Sequence, residues 1–263
     1  MNAYRSELVK LGRRTTLLAA GAVLPFLALL ATTLVILNAT TTPAIGAGDG
    51  FEPSLAQLAG VDGLTAGFRA STGFLGILVF ALFLTSFSGE YSQGTLRTLL
   101  VREPRRSRLL AGKLAAVLTL VAVSLLVAEL LSVGLSAVLA ASRDVPLGAW
   151  WSLDGLQQVL GDYANELLAA ALFGASGAAV GILTRSTVVG LGIGLAWLMP
   201  IEHIIQNAWP DAEKWFPGLL FDVVARGGAS LVSYDRGLLM GASIAVVLLG
   251  AATATFLRRD VSA

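Results

Sequence analysis

Six long runs of apolar residues lie along the chain, and each is close to the length that a helix needs to cross a lipid bilayer. The runs cover residues 15–37, 70–89, 109–141, 164–184, 186–203 and 237–257. Hydrophobic residues make up 56% of the sequence and charged residues only 13%, which is far from the composition of a soluble domain. The pattern predicts an all-α polytopic membrane protein with six transmembrane helices in a single domain, residues 1–263.

The fifth run is the weakest of the six because it is short and contains Pro200 close to its end. Proline interrupts the hydrogen bonding of a helix, and Glu202 follows two positions later. This segment crosses a bilayer only with the help of its flanking residues, so a count of four or five spans stays open.

The distribution of Lys and Arg predicts the orientation of the chain. In a six-span arrangement one side carries 13 of the 18 basic residues. They are Arg5, Lys10, Arg13, Arg14, Arg97, Arg102, Arg105, Arg106, Arg108, Lys113, Arg185, Arg258 and Arg259. Because basic residues are enriched in cytoplasmic loops, both termini are predicted to be cytoplasmic. The acidic residues lean to the opposite side, which is therefore the outer side.

The residues before the first run predict an amphipathic helix over residues 1–14. Tyr4, Leu8 and Leu11 follow the i, i+4, i+7 spacing of one helical face, and the basic residues lie largely off that face. A helix of this kind lies in the plane of the lipid headgroups. The basic residues also orient the first span by their charge alone, and the two interpretations are compatible.

A basic segment between the second and third runs carries the most informative pattern. Leu96, Leu99 and Leu100 form the apolar stripe of a short helix. Thr95 suits the N-cap of that helix, and Pro104 suits the first turn of the next one. The pattern therefore predicts a short cytoplasmic helix between spans 2 and 3.

Glu90 lies at the predicted membrane exit of the second span. An isolated carboxylate is costly at that depth unless a cation pairs with it. We expect Arg97 or Arg108 to be the partner, the first from the short helix and the second from the helix that follows.

The order of residues in this region resembles that of the ABC-2 type permease family. The pattern is Glu-x-x-x-Gly-Thr-Leu, then Pro-x-x-Ser-Arg, then Gly-Lys at the entrance of the third span. It falls on Glu90, Gly94, Thr95, Leu96, Pro104, Ser107, Arg108, Gly112 and Lys113. The six runs and the basic amphipathic start agree with the same family, so the resemblance covers essentially the whole chain.

The resemblance implies the transmembrane subunit of a bacterial ABC exporter in the plasma membrane. The short cytoplasmic helix is then a coupling helix that docks onto a separate ABC ATPase, which is present in two copies and binds ATP and Mg²⁺. A second permease chain, identical or homologous, completes the pathway within the membrane lipid. The residues expected at the ATPase contact are Glu90, Gly94, Thr95, Leu96, Arg97, Leu99, Leu100, Pro104, Arg108, Lys113 and, as a minor contact, Arg185.

The sequence contains no nucleotide-binding loop, so ATP hydrolysis is expected in the separate subunit. A phosphate-binding loop reads Gly-x4-Gly-Lys-Ser/Thr, whereas here Leu114 follows Gly112-Lys113 and Ser107 stands in place of the first Gly. With one His and no Cys, a transition-metal site is not expected. The chain itself is predicted to be no enzyme, to hold no cofactor and to bind no nucleic acid.

The predicted function is outward transport of an amphipathic or lipophilic substrate, such as a drug, a lipid-like molecule or a peptide, because the spans offer a mostly apolar wall. The sparse polar groups expected along the pathway are Ser71, Thr72, Thr85, Ser86 and Glu129. An alternative is a non-transporting scaffold or mechanical relay driven by the same ATPase. A membrane-embedded enzyme is disfavoured because Glu129, Glu166 and His203 are scattered along the chain.

The residues between the fifth and sixth runs combine aromatic residues, prolines and an apolar stretch over residues 209–225. They predict re-entrant or interfacial helices on the outer side, before the sixth span. Trp150 and Trp151 in the preceding outer loop fit an aromatic belt. Asp162 and Glu166 are expected at the outer mouth of the bundle.

A few polar residues and glycines within the runs carry predictions about their position and packing. Glu129 faces the pathway in one interpretation and lies near the outer interface in another. His203 is expected to be an interfacial polar residue rather than a proton switch. Gly174, Gly177 and Gly181 predict close packing of the fourth span against a neighbouring helix.

Overall fold

The computed structural model describes residues 3–12, 14–41, 53–92 and 105–258 of the chain. Within these ranges the chain is helical, and its only extended pairing is a single bridge between Thr40 and Ser54. Ten α-helices lie in the same ranges: α1 (Ala3–Leu11), α2 (Arg14–Leu37), α3 (Leu55–Leu58), α4 (Ala66–Ser92), α5 (Arg106–Ala141), α6 (Leu153–Thr184), α7 (Thr187–Ala196), α8 (Glu202–Ala208), α9 (Pro217–Ala225) and α10 (Tyr234–Arg258).

Five helical segments are long and apolar enough to cross a membrane, as expected of an all-α polytopic membrane protein. They are Ala66–Tyr91, Arg106–Ala141, Leu153–Thr184, Thr187–Ala208 and Tyr234–Arg258. Large apolar side chains point outward from them, and Val188, Leu239 and Val246 are each at least 70% exposed. Helix α2 has 24 residues, within which Gly21–Leu37 form a shorter apolar segment. An apolar outer surface of this extent fits a lipid environment.

Pro200 does not end the fifth apolar segment, although its position in the sequence favours an end there. The chain continues from α7 through a π-helical turn, Trp197–Ile201, into α8. A π turn changes the register of the backbone hydrogen bonds and so accommodates the missing N–H of proline. The segment reaches Ala208 and has 22 residues, which corrects the predicted end at residue 203.

Helix α6 is the centre of the bundle and packs against α4, α5, α9 and α10. Its contact with α4 is especially close because glycines replace side chains where the two helices meet. A Cβ atom at Gly177 would lie 2.2 Å from the carbonyl oxygen of Phe80, and one at Gly181 would lie 2.7 Å from that of Leu84. Gly174 belongs to the same contact, so the predicted close packing is confirmed.

The helix termini define two ends of the bundle. At the α1 end, helix α1 packs against α5, and its Lys10 and Glu7 lie beside Glu90 at the end of α4 and Lys113 near the start of α5. At the α3 end, α3 and the loop between α5 and α6 lie near the N-termini of α4 and α6. In that loop Arg143 donates hydrogen bonds to the carbonyl oxygens of Ile36, Leu37 and Ala39. A cation at this position stabilises the C-terminus of α2.

Trp150 lies inside the α3 end, so its predicted place in an aromatic belt is wrong. Only 1% of it is exposed. Its Nε1 donates hydrogen bonds to the carbonyl oxygens of Leu58 at 2.9 Å and Gly60 at 3.0 Å. Trp151 is 69% exposed, and its place in an aromatic belt stays a prediction.

Helix α9 belongs to the segment predicted to hold re-entrant or interfacial helices, and it is covered by protein. Its residues from Gly218 to Ala225 are all buried, and it packs against α6 and α10. Glu202 accepts a hydrogen bond from the Leu219 N–H at 3.0 Å, so its carboxylate stabilises the N-terminus of α9. Helices are therefore present in the segment before the last span, and α9 is enclosed by its neighbours; its re-entrant or interfacial placement in a membrane stays a prediction.

Candidate functional site

Four charged side chains from three helices meet at the α1 end. Glu7 and Lys10 come from α1, Glu90 from the end of α4 and Lys113 from α5. The Lys113 Nζ atom lies 2.5 Å from Glu90 Oε1 and 3.5 Å from Glu7 Oε2. The Lys10 Nζ atom lies 2.5 Å from Glu7 Oε1 and 3.7 Å from Glu90 Oε1. Each carboxylate thus faces two ammonium groups, and we call these four residues the charge network.

The charge network is largely closed off from solvent. The exposed fractions of the Lys113, Glu7 and Glu90 side chains are 6%, 4% and 14%, whereas Lys10 is 41% exposed. Lys113 also lies 5.4 Å from the centre of the Phe87 ring, at a distance that allows a cation–π interaction. Because two positive and two negative charges balance within the network, its burial leaves no charge uncompensated.

Among the described residues, the partners of Glu90 are two lysines, Lys113 and Lys10. The expectation of Arg108 as the partner is therefore corrected, and that of Arg97 stays a prediction. Arg108 is exposed instead, and Arg97 lies outside the described residues. Since Lys113 follows Glu90 by 23 positions, with the basic segment between them, this pairing brings the two ends of that segment together.

Helix α1 reaches the charge network because its apolar face packs on the bundle. Leu11 is buried, and Tyr4 and Leu8 pack against the same core cluster. The hydroxyl oxygens of Tyr4 and Thr119, on α5, are 3.1 Å apart. The apolar face predicted for residues 1–14 is therefore confirmed over Ala3–Leu11, where it contacts α5.

Arg185 makes a second link at the α1 end. It lies between α6 and α7 with a φ of 54°, and its guanidinium group is 5.5 Å from the centre of the Tyr91 ring at the end of α4. The remaining residues assigned to the ATPase contact lie outside the described part of the chain, and their helix stays a prediction. They are Gly94, Thr95, Leu96, Arg97, Leu99, Leu100 and Pro104.

A polar cavity of about 470 Å³ opens at the α3 end, and we call it the polar vestibule. Its charged lining residues are Asp62, Arg69, Asp154, Asp162 and Arg226. Asp162 is 4% exposed. Its Oδ2 atom accepts hydrogen bonds from Thr65 Oγ1 at 2.6 Å and Gln158 Nε2 at 2.9 Å. These bonds fix Asp162 where the vestibule meets the interior of the bundle.

Two glutamates beyond the vestibule are buried without partners, and we call Glu129 and Glu166 the carboxyl pair. Both are fully buried, and none of their four carboxyl oxygens has a hydrogen-bond partner among the described residues. Glu129 lies within electrostatic range of Asp162, and Glu166 lies within range of Glu129. The structure thus corrects the expected position of Glu166, which is enclosed by helices rather than placed at the outer mouth.

A second cavity of about 110 Å³ lies between α4, α6, α8 and α9, and its polar lining comes from His203 and Asp222. Burial raises the pKa of Asp222 to about 6, and Arg226 and His203 act in the opposite direction. His203 is exposed, and its Nδ1 atom lies 2.8 Å from the Met199 carbonyl oxygen. An exposed position agrees with the polar role expected for this residue.

The residues predicted to line the pathway differ in how deeply they are buried. Ser71 and Thr72 are buried and donate hydrogen bonds to carbonyl oxygens of their own helix. Thr85 and Ser86 are half-buried. Ser71, Thr72 and Glu129 are thus enclosed within the chain. A pathway role for all five residues stays a prediction.

Comparisons with known proteins identify no family: no protein-family model matches the chain, and no curated protein matches it. Among the described residues, no group of three or more His, Cys, Asp or Glu side chains is placed to hold a metal ion. A functional interpretation therefore depends on the sequence pattern together with the geometry at the two ends of the bundle.

Proposed function

We propose that this chain is the transmembrane subunit of an ATP-driven ABC-2 type exporter in a bacterial plasma membrane. In this proposal α2 is the first of six spans, both termini and residues 93–104 face the cytoplasm, and the polar vestibule faces outside. Two copies of a separate ABC ATPase hydrolyse ATP with Mg²⁺. A second permease chain, identical or homologous, completes an outward pathway for an amphipathic or lipophilic substrate.

The observation that carries the proposal is the charge network at the two ends of the basic segment. Glu90 and Lys113 flank that segment and contact each other, while Glu7 and Lys10 attach α1 at the same point. A displacement of the segment therefore acts on α1, α4 and α5 together. A coupling helix requires such a connection, because the movement of an ATPase has to reach the spans.

Leu99→Asp tests the contact between the coupling segment and the ATPase. A charge buried without a partner at a protein contact is costly, so we expect the ATPase to be lost when the chain is purified from its native membranes. Thr98→Asp is the matched control, since it adds the same charge beside the predicted apolar stripe. An ATPase that stays bound and fully active with Leu99→Asp contradicts the proposed contact.

Single cysteines in this Cys-free chain test the proposed orientation. Lys214→Cys should react with a membrane-impermeant thiol reagent added outside intact cells. Arg105→Cys should react only after the membrane is permeabilised. Labelling of position 105 from outside would overturn the orientation and the cytoplasmic position of the coupling segment with it.

The reconstituted complex separates transport from a scaffold role. A transporter is expected to hydrolyse ATP faster in the presence of its substrate and to contain two permease chains for two ATPases. A complex that never responds to candidate amphipathic substrates but drives a neighbouring protein favours the scaffold alternative. An active particle with a single permease chain contradicts the proposed pathway between two chains.

A further inference from the structure

The carboxyl pair has no part in the proposed coupling and is buried in a polar row without partners. Ser132 and Ser136 follow Glu129 at i+3 and i+7, on the same face of α5. Both hydroxyl groups are buried and have no hydrogen-bond partner among the described residues. An unpaired carboxylate is among the most costly groups to bury in a membrane-spanning bundle. The negative charges of Glu129 and Glu166 therefore have to be neutralised by a cationic side chain, a metal ion or a proton.

The groups that face the carboxyl pair do not supply a positive charge. From α6, Asp162 and Tyr163 lie within electrostatic range of Glu129. From α9, Asp222 lies within range of Glu166. The two aspartates are acidic and increase the need for neutralisation, and the neutral phenol of Tyr163 does not meet it.

The cations on the surrounding helices interact with other groups. Arg69 on α4 acts on Asp162, and Arg226 after α9 acts on Asp222. Lys10 and Lys113 are engaged in the charge network at the α1 end. The described residues 21–37 of α2 and all of α7 are uncharged. The charged residues of α10 stand at its two ends and are Asp235, Arg236 and Arg258.

The neutralising group has to be very small. All four oxygens of the carboxyl pair are closed to solvent, and neither glutamate lines the polar vestibule or the second cavity. Divalent metal ions require several oxygen ligands, and the described residues place no suitable group of three acidic or His side chains together. A proton needs no cavity and turns a carboxylate into a neutral hydrogen-bond donor.

We propose that Glu129 and Glu166 form a proton-binding site inside the bundle, which is loaded from the polar vestibule through Asp162. Asp162 lines the vestibule and precedes Glu166 by four residues on the same face of α6. The Cα atoms of these two residues are therefore about 6 Å apart along the helix axis, a little more than one turn. This route is independent of the proposed ATPase contact, and a failure of either proposal leaves the other standing.

Infrared spectroscopy of the full-length chain in lipid nanodiscs tests the site in the wild-type protein. A carboxyl group that holds a proton gives a carbonyl band that is distinct from the carboxylate band and shifts in D₂O. We expect this band at neutral pH, and we expect Glu129→Gln and Glu166→Gln each to reduce it. Asp144→Asn is the matched control, because Asp144 is an exposed carboxylate outside the bundle and its loss should leave the band unchanged.

Two results would overturn the proton site. One is a wild-type chain without the protonated-carboxyl band at neutral pH. The other is a thermal unfolding midpoint that rises in NaCl or KCl relative to choline chloride at equal ionic strength, with the rise lost in Glu166→Gln. That result would assign the carboxyl pair to a metal cation. Equal midpoints in the three salts, together with the band, support the proton.

Asp162→Asn tests the route from the vestibule. After transfer into D₂O, the band of this variant should shift several-fold more slowly than that of the wild type. Asp154→Asn is the control, because it removes another carboxylate from the lining of the same vestibule. Equal exchange rates in the two variants would contradict loading through Asp162.

Discussion

The charge network and the carboxyl pair bury the same chemical group in opposite ways. In the network each carboxylate faces two lysines at 2.5 to 3.7 Å. In the pair, the oxygens of Glu129 and Glu166 have no hydrogen-bond partner in the described part of the chain. Charges that balance inside a protein hold helices together, whereas uncompensated acidic groups depend on a ligand from outside. A buried glutamate is therefore structural at one position and a candidate binding group at the other.

Lys113→Met is expected to have the largest effect on stability, because it removes one of the two positive charges of the charge network and leaves both negative charges in place. Removing one partner of a buried ion pair costs about 3–5 kcal/mol, since Glu7 and Glu90 then share only Lys10. We expect a fall of that order in the free energy of unfolding, measured by denaturant titration in detergent. The double variant Lys113→Met/Glu90→Gln should recover part of the loss. A Lys113→Met chain as stable as the wild type would show that the network does not hold the helices together.

The existence of the helices could be predicted from the sequence, because apolar runs and the spacing of Tyr4, Leu8 and Leu11 are local signals. The sequence did not, however, predict where the fifth segment ends. Pro200 is normally a helix terminator, and only the π turn reveals how the chain continues. Burial of α9 also depends on tertiary packing, which its aromatic and proline-rich neighbours in the sequence do not indicate.

The candidate sites were predictable only in part, for a related reason. Glu90 and Lys113 both belong to the family-like pattern, but their mutual contact joins two helices and has no signature in a single sequence. The depth of Glu129 was uncertain because α5 has 36 residues. Such a helix is about 54 Å long and exceeds the roughly 30 Å hydrocarbon core of a bilayer. The position of a residue along a helix of this length therefore does not determine its depth in the bilayer.

A Glu→Gln substitution in each region compares the charge network with the carboxyl pair directly, and its expected effect on stability is of intermediate size. Glu90→Gln removes a charge that Lys113 contacts at 2.5 Å, and losing such a charged hydrogen bond costs about 1–3 kcal/mol. Glu166→Gln is expected to lower the free energy of unfolding much less than Glu90→Gln does at neutral pH, because an amide resembles a carboxyl group that holds a proton. Unfolding of both variants under one set of conditions measures the difference. Equal losses would remove the distinction between the two regions.

Within the charge network, Lys10→Met should have the smallest effect on stability, because Lys10 is the most exposed member of the network. Lys10 is 41% exposed, and exposed ion pairs contribute only about 0.2–1 kcal/mol. The loss should also shrink at high salt, where the Debye length falls to about 3 Å at 1 M. The larger loss in Lys113→Met should depend little on salt, because that ammonium group is shielded from solvent. Unfolding of both variants at low and high salt provides the measurement. If Lys10→Met were as costly and as insensitive to salt as Lys113→Met, the four charges would act as one buried unit, and exposure would not decide how much each lysine contributes.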